Sequence, residues 1–79
     1  MVIKVKLFGM LGKQFPDHDP LNGFEVDIAD NASAGDLIDY LQIPKSKIGL
    51  VSVQGRLVKA DKILKPGDFV RIFKPVFGG

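Results

Sequence analysis

Cysteine is absent from this sequence of 79 residues. The chain therefore forms no disulfide, holds no metal through thiolates and supplies no nucleophilic or redox-active thiol of its own. The sequence also lacks an apolar run long enough to cross a bilayer. Its first residues alternate apolar and basic side chains, unlike the continuous apolar stretch of a signal peptide. These absences predict a protein with no membrane partner and a cytoplasmic location.

A strong excess of one charge is missing as well. Eleven lysine and arginine residues stand against nine acidic ones, which gives a net charge of +2, and the lysines are scattered along the chain. A groove that follows nucleic-acid phosphates needs concentrated positive charge, usually with aromatic platforms between the cations. The composition predicts lysines on solvated faces and no nucleic-acid partner.

Residues with the chemistry of a metal or catalytic site are few. The single histidine, His18, lies between Asp17 and Asp19 in a segment bounded by prolines. An isolated histidine of this kind is usually solvated, so we expect no bound metal. No part of the sequence resembles a catalytic triad or an acid–base pair. We therefore expect a chain that binds no cofactor and is not an enzyme on its own.

The hydrophobic pattern of the single domain predicts five strands. Apolar residues alternate with others at 3–8 and 24–28, as in half-buried strands, and three further short segments are predicted as strands: 50–53, 56–58 and 69–73. Two tight turns are predicted, one at Gln54-Gly55 and one at residues 65–68, and Ile63-Leu64 is expected to anchor a loop in the core. The segment between residues 9 and 22 reads as a turn and a long loop.

One helix is predicted between the second and third strands. Ser33 is suited to the N-cap, and Asp36 gives a weaker form of the capping box. Leu37, Ile38 and Leu41 form an apolar stripe, and Pro44 stops the helix. The order of elements predicts an α+β fold, with a mixed sheet of four to five strands packed on one helix. The first and last long strands are expected to pair at the sheet centre.

The sequence closes with two glycines, Gly78 and Gly79. A glycine end is slender, can adopt backbone angles denied to other residues, and offers one reactive group, the main-chain carboxylate of Gly79. Since glycine is about 7% of average composition, chance gives such an end in roughly 0.5% of chains. The alternative is an ordinary frayed terminus. We expect a folded domain at 1–76 and a flexible tail at 77–79.

Three segments carry a resemblance to a known family. The Val53–Val58 hairpin, the Asp61–Leu64 loop and the ending Gly67–Gly79 resemble those of the ubiquitin-like sulfur carriers. That family includes the small subunit of molybdopterin synthase and the sulfur carrier of thiamine biosynthesis. The opening Lys-Val-Lys-Leu-Phe-Gly and the ending, a near match to Pro-Pro-Val-x-Gly-Gly, are most similar to the molybdopterin branch. The resemblance implies a β-grasp fold.

The resemblance also implies a chemistry for the tail, which comprises Pro75, Val76, Phe77, Gly78 and Gly79. A ubiquitin-activating-like adenylyltransferase would use ATP to adenylate the Gly79 carboxylate. Sulfur would then displace AMP and leave a thiocarboxylate, which donates sulfur to a precursor held by the large subunit of a synthase. The chain would be the non-catalytic small subunit, and catalytic groups would belong to its partners.

The sequence departs from the family pattern at three positions, of which the last two concern the identity of the partner. Gln54 stands where asparagine is usual, in a turn. Lys74 replaces the first proline and would leave the base of the tail less stiff, and Phe77 places a large ring where smaller residues are common.

A partner interface is predicted on the outer face of the last strand. Val70 and Ile72 alternate inward, which sends their neighbours to the other face together with one residue of the first strand: Phe69, Arg71, Phe73 and Phe8. Aromatic residues with an arginine are typical of interface anchors. The alternative is that the chain's own loop at 9–22 covers Phe69 and Phe73.

Other functions stay open at this point. The sulfur could serve thiamine synthesis or another sulfur pathway. The chain could instead be a protein modifier joined through Gly79 to a lysine by an isopeptide bond, or a β-grasp binding module whose glycine end is inert.

Overall fold

The computed structural model describes residues 1–9, 15 and 22–75. In these residues there are five strands and one α-helix: β1 (Val2–Leu7), β2 (Phe24–Asp27), α1 (Ala34–Tyr40), β3 (Val51–Val53), β4 (Arg56–Val58) and β5 (Phe69–Ile72). A short 3₁₀ turn at Lys45–Lys47 interrupts the connection between α1 and β3. The predicted order of elements is confirmed.

The strands form one mixed sheet in the order β2-β1-β5-β3-β4. β1 and β5 run parallel at its centre, in a register that pairs Lys4 with Phe69 and Leu7 with Ile72. The other neighbouring strands pair antiparallel. The predicted central pairing and the α+β β-grasp fold are therefore confirmed. The parallel register also carries the ends of β1 and β5 to the same edge of the sheet.

The core lies on one face of this sheet, against α1. Alternate residues of the central strands are buried there with the apolar stripe of the helix: Ile3, Val5, Leu7, Val70, Ile72, Leu37 and Ile38. Full burial of a side chain of this size contributes about 1.5–3 kcal/mol. Because β1 and β5 are buried on this face along their length, the opposite face is left to partly exposed residues.

The helix begins with a complete capping box. The backbone N–H of Asp36 donates to Ser33 Oγ at 3.1 Å, and the backbone N–H of Ser33 donates to Asp36 Oδ2 at 2.9 Å. The shorter aspartate side chain thus makes both bonds that a glutamate would make. The helix ends at Tyr40, and Gln42 follows with φ 59°, before Pro44.

The prediction that Ile63 and Leu64 both anchor a loop in the core is confirmed for Leu64 and wrong for Ile63. Leu64 is buried at 2% exposure, but Ile63 is 48% exposed. Ile63 forms an isolated backbone bridge with Ser33 at the start of α1 instead. Its side chain therefore points away from the core that its neighbour enters.

Several predictions concern residues outside the described ones. They include the metal alternative at Asp17, His18 and Asp19, most of the loop between residues 9 and 22, and the tail from residue 76 onward. In the part of the chain that the structure describes, no helix is long and apolar enough to span a membrane.

Candidate functional site at the tail base

The central strand β5 leads directly into the base of the predicted tail. After Ile72, the Phe73 N–H donates to Leu50 O at 2.8 Å, and the Gly49 N–H donates to Phe73 O at 2.8 Å. These two bonds continue the antiparallel pairing of β3 and β5 beyond the strands themselves. Pro75 is the last described residue. Val76, Phe77, Gly78 and Gly79 lie outside the description, and the predictions made for them stay predictions.

The structure brings the four residues of the predicted interface to one face of the sheet. Phe8 and Phe73 stack with ring centroids 4.5 Å apart and an interplanar angle of 15°. The guanidinium carbon of Arg71 lies 4.1 Å from the ring centroid of Phe69. We call Phe8, Phe69, Arg71 and Phe73 the aromatic patch. All four are partly exposed. Phe8 and Phe73 lie at the edge where the tail begins, and Phe69 lies at the other end of β5.

Two lysines that sequence reasoning missed belong beside this patch. Lys6 Nζ lies 5.0 Å from the centroid of Phe8, and Lys4 Nζ lies 5.8 Å from that of Phe69. Cations at these distances are attracted to the negative face of a ring. The signal in the sequence was the spacing of Lys4, Lys6 and Phe8, which puts all three on one side of a strand. Lysines that look scattered in sequence thus gather around aromatic rings.

The alternative prediction was that the loop between residues 9 and 22 covers Phe69 and Phe73. Phe15, the described residue inside that loop, stacks on Phe24 with centroids 5.5 Å apart. Phe24 shares a strand face with the buried Val26, which is the face of the core. Phe15 therefore packs on the side of the sheet opposite the patch. The remaining residues of that alternative lie outside the described part of the chain.

An open apolar groove adjoins the patch at the tail base. Its volume is about 590 Å³, and six residues line it: Phe8, Gly49, Leu50, Phe73, Lys74 and Pro75. Leu50 is 56% exposed. Gly49 and Leu50 were not predicted as site residues, because their place beside Phe73 depends on the pairing of β3 with β5. The groove is therefore an accessible apolar surface beside the tail base.

Among the described residues, the titratable group whose pKa is shifted lies at the other end of β1. The amino group of Met1 is 3.2 Å from Asp30 Oδ1 and 3.3 Å from Asp27 Oδ1. Asp30 first, and then Asp27, hold its pKa above the ordinary value of 8.0. Among the described residues no group of three or more histidine, cysteine or acidic side chains could hold a metal ion. The tail base itself offers apolar contact and positive charge.

A comparison with known protein families shows to which family this chain belongs. A family model described as "Mut7-C ubiquitin" matches residues 1–78. The chain belongs to the Mut7-C ubiquitin family. No curated protein sequence matches it significantly. This family match, together with the similarity of the chain to the solved structures described next, confirms the resemblance to the ubiquitin-like sulfur-carrier family.

Three solved structures show what this member of the Mut7-C ubiquitin family is similar to. The small archaeal modifier protein 1 of Haloferax volcanii superposes with a TM-score of 0.75 at 21% identity, covering 95% of this chain and 98% of that one. A putative molybdopterin converting factor subunit 1 from Pyrococcus furiosus gives 0.72 at 27% identity, covering 96% and 99%.

The third structure is a complex of two proteins. It holds subunits 1 and 2 of the molybdopterin-converting factor of Helicobacter pylori, and one chain matches at 21% identity and a TM-score of 0.62, with full coverage of both chains. The similar proteins are thus small ubiquitin-like subunits and modifiers that share the whole fold of this Mut7-C ubiquitin domain.

Proposed function

We propose that this protein is a sulfur carrier, charged at the main-chain carboxylate of Gly79, and that its sulfur serves molybdopterin synthesis. The observation that carries the proposal is the position of Pro75. It follows the central strand of the sheet and lies beside an exposed groove and the aromatic patch. A rigid strand thus supports the base of the tail, and a contact surface adjoins it.

The chemistry follows from the poor reactivity of a carboxylate. Its oxygen is a poor leaving group, so an activating enzyme first joins the Gly79 carboxylate to AMP from ATP and releases pyrophosphate. A sulfide or persulfide sulfur then attacks the acyl carbon, and AMP leaves with the electron pair of the broken C–O bond. When the donor is a persulfide, a thiol must also reduce its S–S bond. The product is a thiocarboxylate.

The role of the folded domain is to position the tail. Ordering four residues, 76–79, costs about 4–8 kcal/mol at 1–2 kcal/mol each. At about 25 cal/mol per Å² this requires roughly 160–320 Å² of buried apolar surface. Phe8 and Phe73 are already partly buried, so they supply only part of this surface, and the exposed Leu50 of the adjoining groove adds to it. The estimate therefore supports the aromatic patch together with the groove as the docking surface.

The partners in this proposal are an adenylyltransferase of the ubiquitin-activating type and a synthase large subunit. The ATP belongs to the activating enzyme, and the carrier itself binds no cofactor and catalyses nothing. The H. pylori complex, which pairs a protein of this fold with a second subunit, and the similarity to the P. furiosus subunit 1 support the choice of pathway. We place the protein in the cytoplasm, where ATP is available for activation.

Intact-mass spectrometry tests the proposal. The protein is incubated with a candidate activating enzyme, ATP and a sulfide source, and we expect the mass increase of one oxygen replaced by sulfur at Gly79. A variant that ends at Gly78 is the matched control. It should lose charging but keep the melting temperature of the parent, since Gly79 comes after the last described contact.

Different products would identify different functions. A branched Gly-Gly remnant on lysines of other proteins would show a modifier. An unchanged mass with every activating enzyme of the source cells would show an inert binding module and contradict the proposal. A thiocarboxylate that transfers sulfur to a thiamine-type acceptor, but to no molybdopterin synthase, would move the carrier to another pathway.

A further inference from the structure

Two glycines lie against Lys74, at the base of the tail. A Cβ added at Gly49 would come within 2.7 Å of Lys74 O and 2.8 Å of the Pro75 Cα. A Cβ added at Gly9 would come within 2.8 Å of Lys74 Cδ. The first contact is with backbone and the second with the aliphatic part of a side chain. Lys74 is exposed, yet its backbone lies against Gly49 and its side-chain stem lies against Gly9.

The requirement at Gly49 is steric. Gly49 is not among the glycines with positive φ, so an alanine could adopt its backbone conformation. Its N–H also donates to Phe73 O, which holds the two chains together at that point. An added methyl group would have to push away the backbone of Lys74 and Pro75, because a backbone cannot turn aside as a flexible side chain can.

We propose that Gly49 is a positioning residue that fixes the direction in which the chain leaves the fold at Lys74 and Pro75, with Gly9 supporting the stem of Lys74. This inference rests on the proposed function. The missing proline at position 74 predicted a less stiff tail base, and close packing between two glycines supplies stiffness in another way.

The length of the tail makes this direction important. Four extended residues reach at most about 14 Å beyond Pro75. A change of about 20° at the base would therefore move the end of an extended tail by about 5 Å. Reaction geometry tolerates far less, since a misplacement of about 1 Å can lower a rate about 100-fold.

The first test is Gly49→Ala, with Gly35→Ala as the matched control. Gly35, in the first turn of α1 and away from the tail, also has an ordinary φ, and a Cβ added there would come within 3.2 Å of Ala60. We expect Gly49→Ala to shift the NMR amide signals of Phe73 and Lys74 and to lower kcat for charging about ten-fold. KM for the carrier should change less than two-fold, and Gly35→Ala should behave like the parent.

A second pair of variants tests the packing of the Lys74 stem, and this test remains valid if Gly49→Ala does not fold. Lys74→Ala removes the stem that lies against Gly9, whereas Lys74→Met keeps a stem and removes the charge. We expect lower ¹⁵N order parameters at Lys74 and Val76, and slower charging, for Lys74→Ala only. If Lys74→Met is equally impaired, charge and not packing matters, and the support assigned to Gly9 is wrong.

The outcomes separate this inference from the proposed function. If the parent is charged and Gly49→Ala is charged equally fast, the carrier function stands and the role of Gly49 is refuted. If no enzyme charges the parent, the proposed function fails. The amide signals of Lys74 then decide alone whether Gly49 sets the direction of the chain, and unshifted signals would refute it.

Discussion

Phe73 is the residue at which fold and tail meet. Its ring stacks on Phe8, and its backbone makes hydrogen bonds with Gly49 and Leu50. The side chain lies on the outer face of the sheet, so its removal leaves the buried alternation of Val70 and Ile72 unchanged. Contacts of the ring and contacts of the backbone can thus be tested separately at this position.

Phe73→Ala should weaken binding to the activating enzyme at least ten-fold, because aromatic anchors near the centre of an interface carry about 2 kcal/mol or more. The domain should stay folded, since the ring is only partly buried. Isothermal titration calorimetry gives the affinity, and thermal denaturation gives the stability. Both measurements are made on the same preparation.

Tyr40→Ala is the matched control for this substitution. Tyr40 is an aromatic residue that is 62% exposed at the end of α1, on the helix side of the sheet. It should bind the activating enzyme like the parent. Equal affinities of all three proteins would show that the aromatic patch is not the docking surface.

At the scale of elements, α1 is short and depends on its ends. Seven residues form fewer than two full turns beyond the cap, and an isolated helix of this length is not stable in water. Its stability therefore comes from the packing of Leu37 and Ile38 on the sheet and from the capping box. The sequence indicated this cap correctly, since Ser33 and Asp36 are three residues apart.

Ser33→Ala should lower the free energy of unfolding by about 1 kcal/mol, because it removes an acceptor for the Asp36 N–H. Urea denaturation measures the change. Ser46→Ala, in the exposed 3₁₀ turn, is the control and should change stability by less than about 0.5 kcal/mol. A loss at position 46 equal to that at position 33 would contradict the role of the cap.

At the scale of the whole molecule, the two ends of β1 make different kinds of contact. Its carboxyl end leads to Phe8 and the tail base. Its amino end is held by the Met1 amino group, which donates to Ile28 O at 2.6 Å and to Asp27 Oδ1 at 3.3 Å. Polar contacts thus secure one end of the sheet, and the stacked Phe8 and Phe73 are left partly exposed at the other.

Alkaline pH should lower the stability of the folded protein, because the Met1 amino group loses its charge. The pKa of the Met1 amino group is raised above 8.0 in the folded protein, with Asp30 as the largest cause. Its contribution is complete below pH 8 and is lost as the pH rises through the folded pKa. Urea midpoints measured from pH 7 to pH 10 should fall, and Asp30→Asn should flatten that fall. A parallel decline in both proteins would exclude this ion pair as the cause.

Local patterns in the sequence determined the elements and the type of fold. Alternation marked the strands to within a residue or two, Ser33 and Pro44 bounded the region of the helix, and the central pairing of β1 with β5 followed from the order of elements. These features depend on contacts between near neighbours, or on the two faces of one strand, and a sequence shows both directly.

Only the tertiary structure decided how the aromatic patch and the tail base are built. The position of Lys4 and Arg71 over one ring requires the β1–β5 register, and the packing of Gly49 against Lys74 requires the β3–β5 register. The exposure of Ile63 likewise depends on a backbone bridge to a distant residue. Register is fixed by the packing of the whole sheet, because a shift of one residue would exchange its two faces.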